Sequence, residues 1–231
     1  MTEKIDLERI RKNLIRLEDN IIISLFNRTQ FKLNNKIYIS GAIEIPNFDG
    51  SFLDYLFRGT EKLHASAGRY IDQEEHVFYL DTPQTSIIPR KVDDIGIQRR
   101  ININQKIMFT YIDALPSICE EGDDNKYGSA AIADITCLQH LSRRIHMGEQ
   151  VAEAKFQDDP EEYKRLIKLK DVNGLMEKLT NREVEKKILE RVKLKGERYY
   201  VDPQFISNFY ENKIMPLTKE VEIEYFMKKE Q

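Results

Sequence analysis

Over most of its length this chain repeats its apolar residues at three- and four-residue spacing, and little interrupts the repeat. From about Ser129 to Phe156 the pattern runs on without a proline. Glycine and proline number only 10 and 7 in 231 residues. No stretch alternates apolar and polar residues as a half-buried strand does. Such a chain is predicted to be all-α, a multi-helix bundle with one long central helix over about 129–156. The length suits one large domain or two small ones, and we expect a single domain over 1–231.

The boundaries follow from caps and breakers. Asp6 is a plausible N-cap for a helix to Arg28, in which Leu7, Ile10, Leu14, Leu17 and Ile21 share a face. Residues 30–50 read as loop, and a second helix is expected from Ser51 to about Tyr70. Residues 80–102, with Pro83 and Pro89, form a long connector. A connector of that length inside a compact domain is either ordered and functional or a link between subdomains. Further helices are expected over about Asn104–Cys119, 160–169, 171–178, Asn181–Tyr199 and Pro203–Lys228, with a kink at Pro216. Glu120 to Asn125 is a polar break.

Several function classes are excluded. Lys+Arg 36 against Asp+Glu 39 leaves a net charge of −3, which argues against a general nucleic-acid binder. No apolar run approaches the ~20 residues of a membrane span. The N-terminus has no leader character, so the cytoplasm is the expected compartment. Cys119 and Cys137 form no CxxC pair, and His64, His76, His140 and His146 lack metal-ligand spacing. There is no GxGxxG, P-loop or GxSxG. Neither metal nor cofactor is expected.

The informative residues are charges on dry faces. At about 100° per residue, Arg11 falls roughly 40° from Leu7, inside the apolar arc of the first helix. Arg144 and Lys155, about 20° apart, share a face with Cys137, Leu141, Gly148, Val151 and Ala152. Arg143 points instead to the polar side with Ser142, His146 and Gln150. Glu222 lies beside Met215, Thr218 and Phe226, and the pairs Asn181–Glu185 and Thr218–Glu222 are each one turn apart. A charge on a dry face is costly unless paired. These residues are either salt bridges between packed helices or, since bundles build sites from facing helices, a receptor for a small carboxylate or phosphate.

Four segments carry a family resemblance: Ile45-Pro46-Asn47-Phe48-Asp49-Gly50-Ser51-Phe52-Leu53-Asp54, Leu141-Ser142-Arg143-Arg144-Ile145-His146, Val151-Ala152-Glu153-Ala154-Lys155-Phe156-Gln157, and Met215 to Tyr225. Together they resemble the eukaryotic-type, all-helical chorismate mutases over roughly Asp6 to Lys228. The resemblance implies cofactor-free isomerisation of chorismate to prephenate, on the route to phenylalanine and tyrosine. It implies that Arg11 and Arg144 bind the substrate carboxylates, and that Lys155 and a protonated Glu222 serve the ether oxygen. Glu185 would take the substrate hydroxyl, with Asn181 and Thr218 in support. It divides the chain into a catalytic bundle (about 6–28, 129–157, 180–199 and 203–228) and an effector and dimer region (about 40–128).

Members of this family are dimers, often with an aromatic amino-acid effector site at the interface, and a homodimer is expected. Arg69, Gly128 and Ser129 match effector-contacting positions. Gly68, Lys126, Ile132 and Asp202 depart from the regulated pattern, so control by tyrosine or tryptophan is expected to be altered or absent. The alternative is an inactive helical sensor or interaction protein that binds an aromatic amino acid.

Overall fold

The computed structural model describes residues 5–87 and 101–229, and among these the regular structure is entirely helical. Helix α1, Leu7–Arg28, begins as expected at Asp6, whose side chain accepts from the Glu8 amide. Helix α2, Phe52–Ser66, opens with a reciprocal capping box between Ser51 and Asp54. It stops short of Tyr70 because Gly68 enters the left-handed region at φ 79°, which ends the helix, and Arg69–Ile71 form only a single 3₁₀ turn. Helix α3 covers Asn104–Ala114 and tightens into a 3₁₀ turn at Leu115–Ser117.

The expected long central helix is two helices. Helix α4, Tyr127–His146, and helix α5, Gly148–Asp158, meet at Met147. Met147 keeps right-handed angles (φ −58°, ψ −11°), and hydrogen bonds of α-helical span continue from Met147 to Arg143 and from Val151 to Met147. The junction is a bend that preserves the helical phase, so Arg144 and Lys155 still face one way. It falls where the chain later returns against Gly148.

Helices α6 (Pro160–Lys168), α7 (Val172–Leu179) and α8 (Arg182–Arg198) follow the expected boundaries, with Asn181 capping α8 through the Val184 amide. The last stretch divides into α9 (Pro203–Phe209), a π turn at Tyr210–Ile214, and α10 (Met215–Lys229). The kink expected at Pro216 takes this form. Proline has no N–H to offer the carbonyl one turn back, and the wider turn upstream carries the Met215 amide to Tyr210 instead.

Helix α1 lies along α4, α10 along α5 and α4, and α8 along α9 and α1. One buried apolar cluster joins residues from α1 to α10, among them Ile21, Phe57, Ile107, Leu138 and Val221. A smaller cluster of Ile10, Leu17, Met147 and Ala154 seats the first half of α1 on the α4–α5 bend. At the other end of α1, Arg28 is fully buried and donates to Asp134 at 2.7 Å. Asp134 also accepts from the hydroxyls of Tyr38 and Tyr111, both at 2.7 Å.

The side of α4 and α5 expected to be polar and wet is covered. Ser142, His146 and Gln150 are buried. His146 Nδ1 donates to the Ser142 carbonyl at 2.8 Å, and Nε2 accepts the Ile103 amide at 3.1 Å. Asn104 reaches the carbonyls of His76 and Val77. These residues hold the far end of the 80–102 connector down; its central part, 88–100, lies outside the described residues. No described helix is long and apolar enough to cross a membrane.

Candidate active site

A cavity of about 340 Å³ opens between α1, the α4–α5 bend, α8 and α10. All seven expected site residues line it: Arg11, Arg144, Lys155, Asn181, Glu185, Thr218 and Glu222. Its apolar wall includes Leu7, Leu14, Val151, Leu179, Ile188 and Met215. Six cationic side chains and three carboxylates line the space, so its field favours an anion.

Arg144 projects from α4 into this cavity and is almost wholly buried. Among the described residues it makes no ion pair. One terminal nitrogen reaches Thr218 Oγ1 at a long 3.4 Å, and Nε has no partner. Thr218 spends its own proton on the Ile214 carbonyl at 2.8 Å, which leaves its oxygen to accept. A buried guanidinium with unused donors is expensive to maintain. Its fork of donors is suited to pairing with a carboxylate or phosphate.

Lys155 and Glu222 form the second centre. Lys155 Nζ donates to Glu222 Oε2 at 3.1 Å and to the Leu179 carbonyl at 3.0 Å. Burial pushes the Glu222 carboxyl above its ordinary range, against the opposing pull of Lys155, Arg144 and Lys219. The apolar neighbours expected from the helical face are the physical cause, because they penalise the charged form.

Glu185 sits on the facing helix with its carboxylate 2.7 Å from Lys219 Nζ. Asn181 uses its carboxamide oxygen to cap α8, at 3.1 Å from the Val184 amide, which leaves its amide group to donate. Arg11 differs from expectation. It was expected to turn inward, but its side chain is 50% exposed at the cavity mouth and pairs with Glu8. The apolar arc of α1 faces protein at Ile10 and Leu17 but faces the open cavity at Arg11's angle.

Sequence reasoning missed four lining charges, Glu18, Lys187, Arg191 and Lys219. Glu18 is fully buried on the cavity wall, held by Arg191 through two 2.7 Å contacts and by Lys195 at 3.2 Å. The angular test that singled out Arg11 would have found Glu18, which lies about 20° from Leu7. Arg191 and Lys219 reach the site on long flexible stems, which helical angle does not register.

Arg69, Gly128 and Ser129 lie outside this cavity. Arg69 is engaged by Glu75 at 2.9 Å and by Gln139 at 2.9 Å. Gln139 and Gly128 stand on the same helix, eleven residues apart and so roughly 16 Å along the axis. Within one chain, therefore, Arg69 and the Gly128–Ser129 turn do not form one site.

The fold is a helical bundle whose cavity is lined by more cations than carboxylates, with a buried guanidinium and a carboxyl of raised pKa among them. Comparison with known proteins makes the class specific. The family model described as chorismate mutase type II matches residues 127–223. A chorismate mutase of Emericella nidulans is 40% identical over 250 residues, covering 99% of this chain and 94% of that protein. The solved chorismate mutase of Candida albicans in complex with L-Trp superposes with a TM-score of 0.94 at 40% identity, covering 97% of this chain and 91% of that one. AtCM1 with tyrosine in its allosteric site gives 0.91 at 40% identity, covering 100% and 98%. The chain belongs to the chorismate mutase family and is an isomerase of that kind.

Proposed function

We propose that the cavity converts chorismate to prephenate by holding the substrate in its folded, reactive conformer while the ether C–O bond breaks and the new C–C bond forms. The rearrangement is internal to the substrate, so the protein's work is orientation and stabilisation of charge growing on the ether oxygen. The observation that carries this reading is Arg144, a buried guanidinium lining the cavity with no carboxylate paired to it among the described residues. It takes one substrate carboxylate. Arg11, free to leave Glu8 at the mouth, takes the other as the ligand enters. Lys155 and protonated Glu222 donate to the ether oxygen, and Glu185 and Asn181 hold the hydroxyl. Thr218 steadies Arg144.

The test is loss of chorismate absorbance with prephenate identified separately, using purified chain and no added cofactor. Turnover is the expected result. A folded chain that binds but does not convert chorismate would leave the aromatic amino-acid sensor as the better reading.

Glu222 makes the rate depend on pH with a definite sign. The protonated form donates, so the rate is highest below the folded-state pKa and falls as pH rises through it. Burial moves that fall to higher pH than an ordinary glutamate would give. Glu222→Gln keeps a donor that does not titrate, and its alkaline limb is expected to flatten. A variant whose profile matches the wild type would remove Glu222 from the role.

The same reading treats residues 1–231 as one cytoplasmic catalytic domain. It also assigns Arg69, Gly128 and Ser129 to an effector site completed across a homodimer. The solved relatives carrying tryptophan or tyrosine support an aromatic effector class. Gly68 opposes the regulated pattern in a physical way: its φ of 79° favours glycine, and a Cβ there would meet the Ile87 side chain at 2.5 Å. Assays with and without each amino acid are expected to show altered or absent control, and sedimentation tests the dimer.

A further inference from the structure

We propose that Gly148 is a positioning residue, whose missing side chain sets how closely α10 approaches the α4–α5 bend and so aligns Thr218 and Glu222 with Arg144 and Lys155. The proposal rests on the active-site reading above. A Cβ built on Gly148 would stand 2.8 Å from the Thr218 carbonyl oxygen, 3.3 Å from Thr218 Cγ2 and 3.4 Å from Glu222 Cγ. The shortest of these is to backbone, so no rotamer change relieves it and one helix must move.

Backbone conformation does not call for glycine here, because Gly148 has no positive φ. Helix propensity opposes it, since alanine is the better helix former. Gly59, also inside a helix, has nothing within 4 Å of its Cβ position. At Gly148, space is the remaining reason.

The contact lies between two cross-links. Arg144, one turn before Gly148, meets Thr218 at 3.4 Å, and Lys155, about two turns after it, meets Glu222 at 3.1 Å. Thr218 and Glu222 are themselves one turn apart on α10. A displacement of α10 by a few tenths of an ångström would lengthen both links together and admit water to Glu222.

The experiment compares Gly148→Ala with Gly59→Ala as a control, each in the wild-type and the Thr218→Ser background. Steady-state kinetics, pH profiles and thermal melts are recorded for all. Gly148→Ala is expected to lower kcat about tenfold, with a smaller change in KM. Its alkaline limb is expected to move to lower pH as Glu222 is hydrated. Gly59→Ala should retain the wild-type kcat and profile. Serine at 218 removes the Cγ2 contact but keeps the carbonyl, so the Gly148→Ala loss should shrink there without vanishing, a coupling that independent sites would not show.

Wild-type kcat and pH profile in Gly148→Ala would overturn the proposal. If Gly148→Ala does not fold, the double variant is compared with Thr218→Ser, and an unmoved alkaline limb overturns the proposal. An inactive wild type defeats the active-site reading itself, whereas an active wild type with an indifferent Gly148→Ala defeats only the positioning role.

Discussion

Arg144→Ala is expected to lower kcat/KM for chorismate by roughly 10²–10³, the scale of removing one preorganised charge-stabilising donor, without weakening the fold. The two halves of that expectation come from the same geometry. Truncating one partner of a buried ion pair is costly because the other charge is left behind. Among the described residues Arg144 has no such partner: a terminal nitrogen is hydrogen-bonded to the Thr218 hydroxyl, and Nε has no hydrogen-bond partner. Its removal breaks no ion pair, since Glu222 keeps Lys155, and it relieves a buried charge. Melting temperature should stay level or rise while activity collapses. A salt bridge between helices would give the opposite pair of results, a lower melting temperature and a rate that follows the folded fraction. Thermal melts beside prephenate assays distinguish the two.

Asp134→Ala should do the reverse, with a loss of stability of about 3–5 kcal/mol and a fall in Tm on the order of 10 °C. Asp134 is fully buried and accepts from Arg28, Tyr38 and Tyr111. Alanine there leaves a buried guanidinium without a counter-charge and the Tyr111 hydroxyl without an acceptor. The cluster lies at the end of α1 away from the cavity, so the folded fraction should keep its turnover. Chemical denaturation with activity measured per folded molecule checks both parts. A stability change below 1 kcal/mol would mean that the three carbonyls already bonded to Arg28, from Phe31, Lys32 and Leu33, suffice to hold it.

The contrast between Arg144 and Arg28 shows what was legible beforehand. Helical angle places a charge on a dry face, and it found Arg144, Lys155 and Glu222, which all line one cavity. It carries no information on what stands opposite, so it could not separate a receptor from a salt bridge. That depends on contacts distant in sequence, such as Arg28 with Asp134. Angle also treats a helix as uniformly faced along its length, which is why Arg11 was expected inside when it stands at the mouth. The boundaries of α1, α6, α7 and α8 were readable because caps and breakers are local. The break at Met147 was not, because the residue itself keeps right-handed angles and no proline or positive-φ glycine marks it in the sequence. The cover over His146 was missed because it comes from the 101–104 segment, distant in sequence.

The π turn at Tyr210–Ile214 works as an expansion joint between the two walls of the cavity. One turn there holds a residue more than an α turn would. Deleting a single residue would restore ordinary winding and leave α9 and α10 in nearly the same rotational relation. The same deletion in the regular winding of α10, upstream of Thr218, would instead turn the two parts by about 100°. Thr218 and Glu222 would then lose register with α9 and with α8, which lies along α9. Changes of length are thus absorbed in this one turn and nowhere else along the stretch.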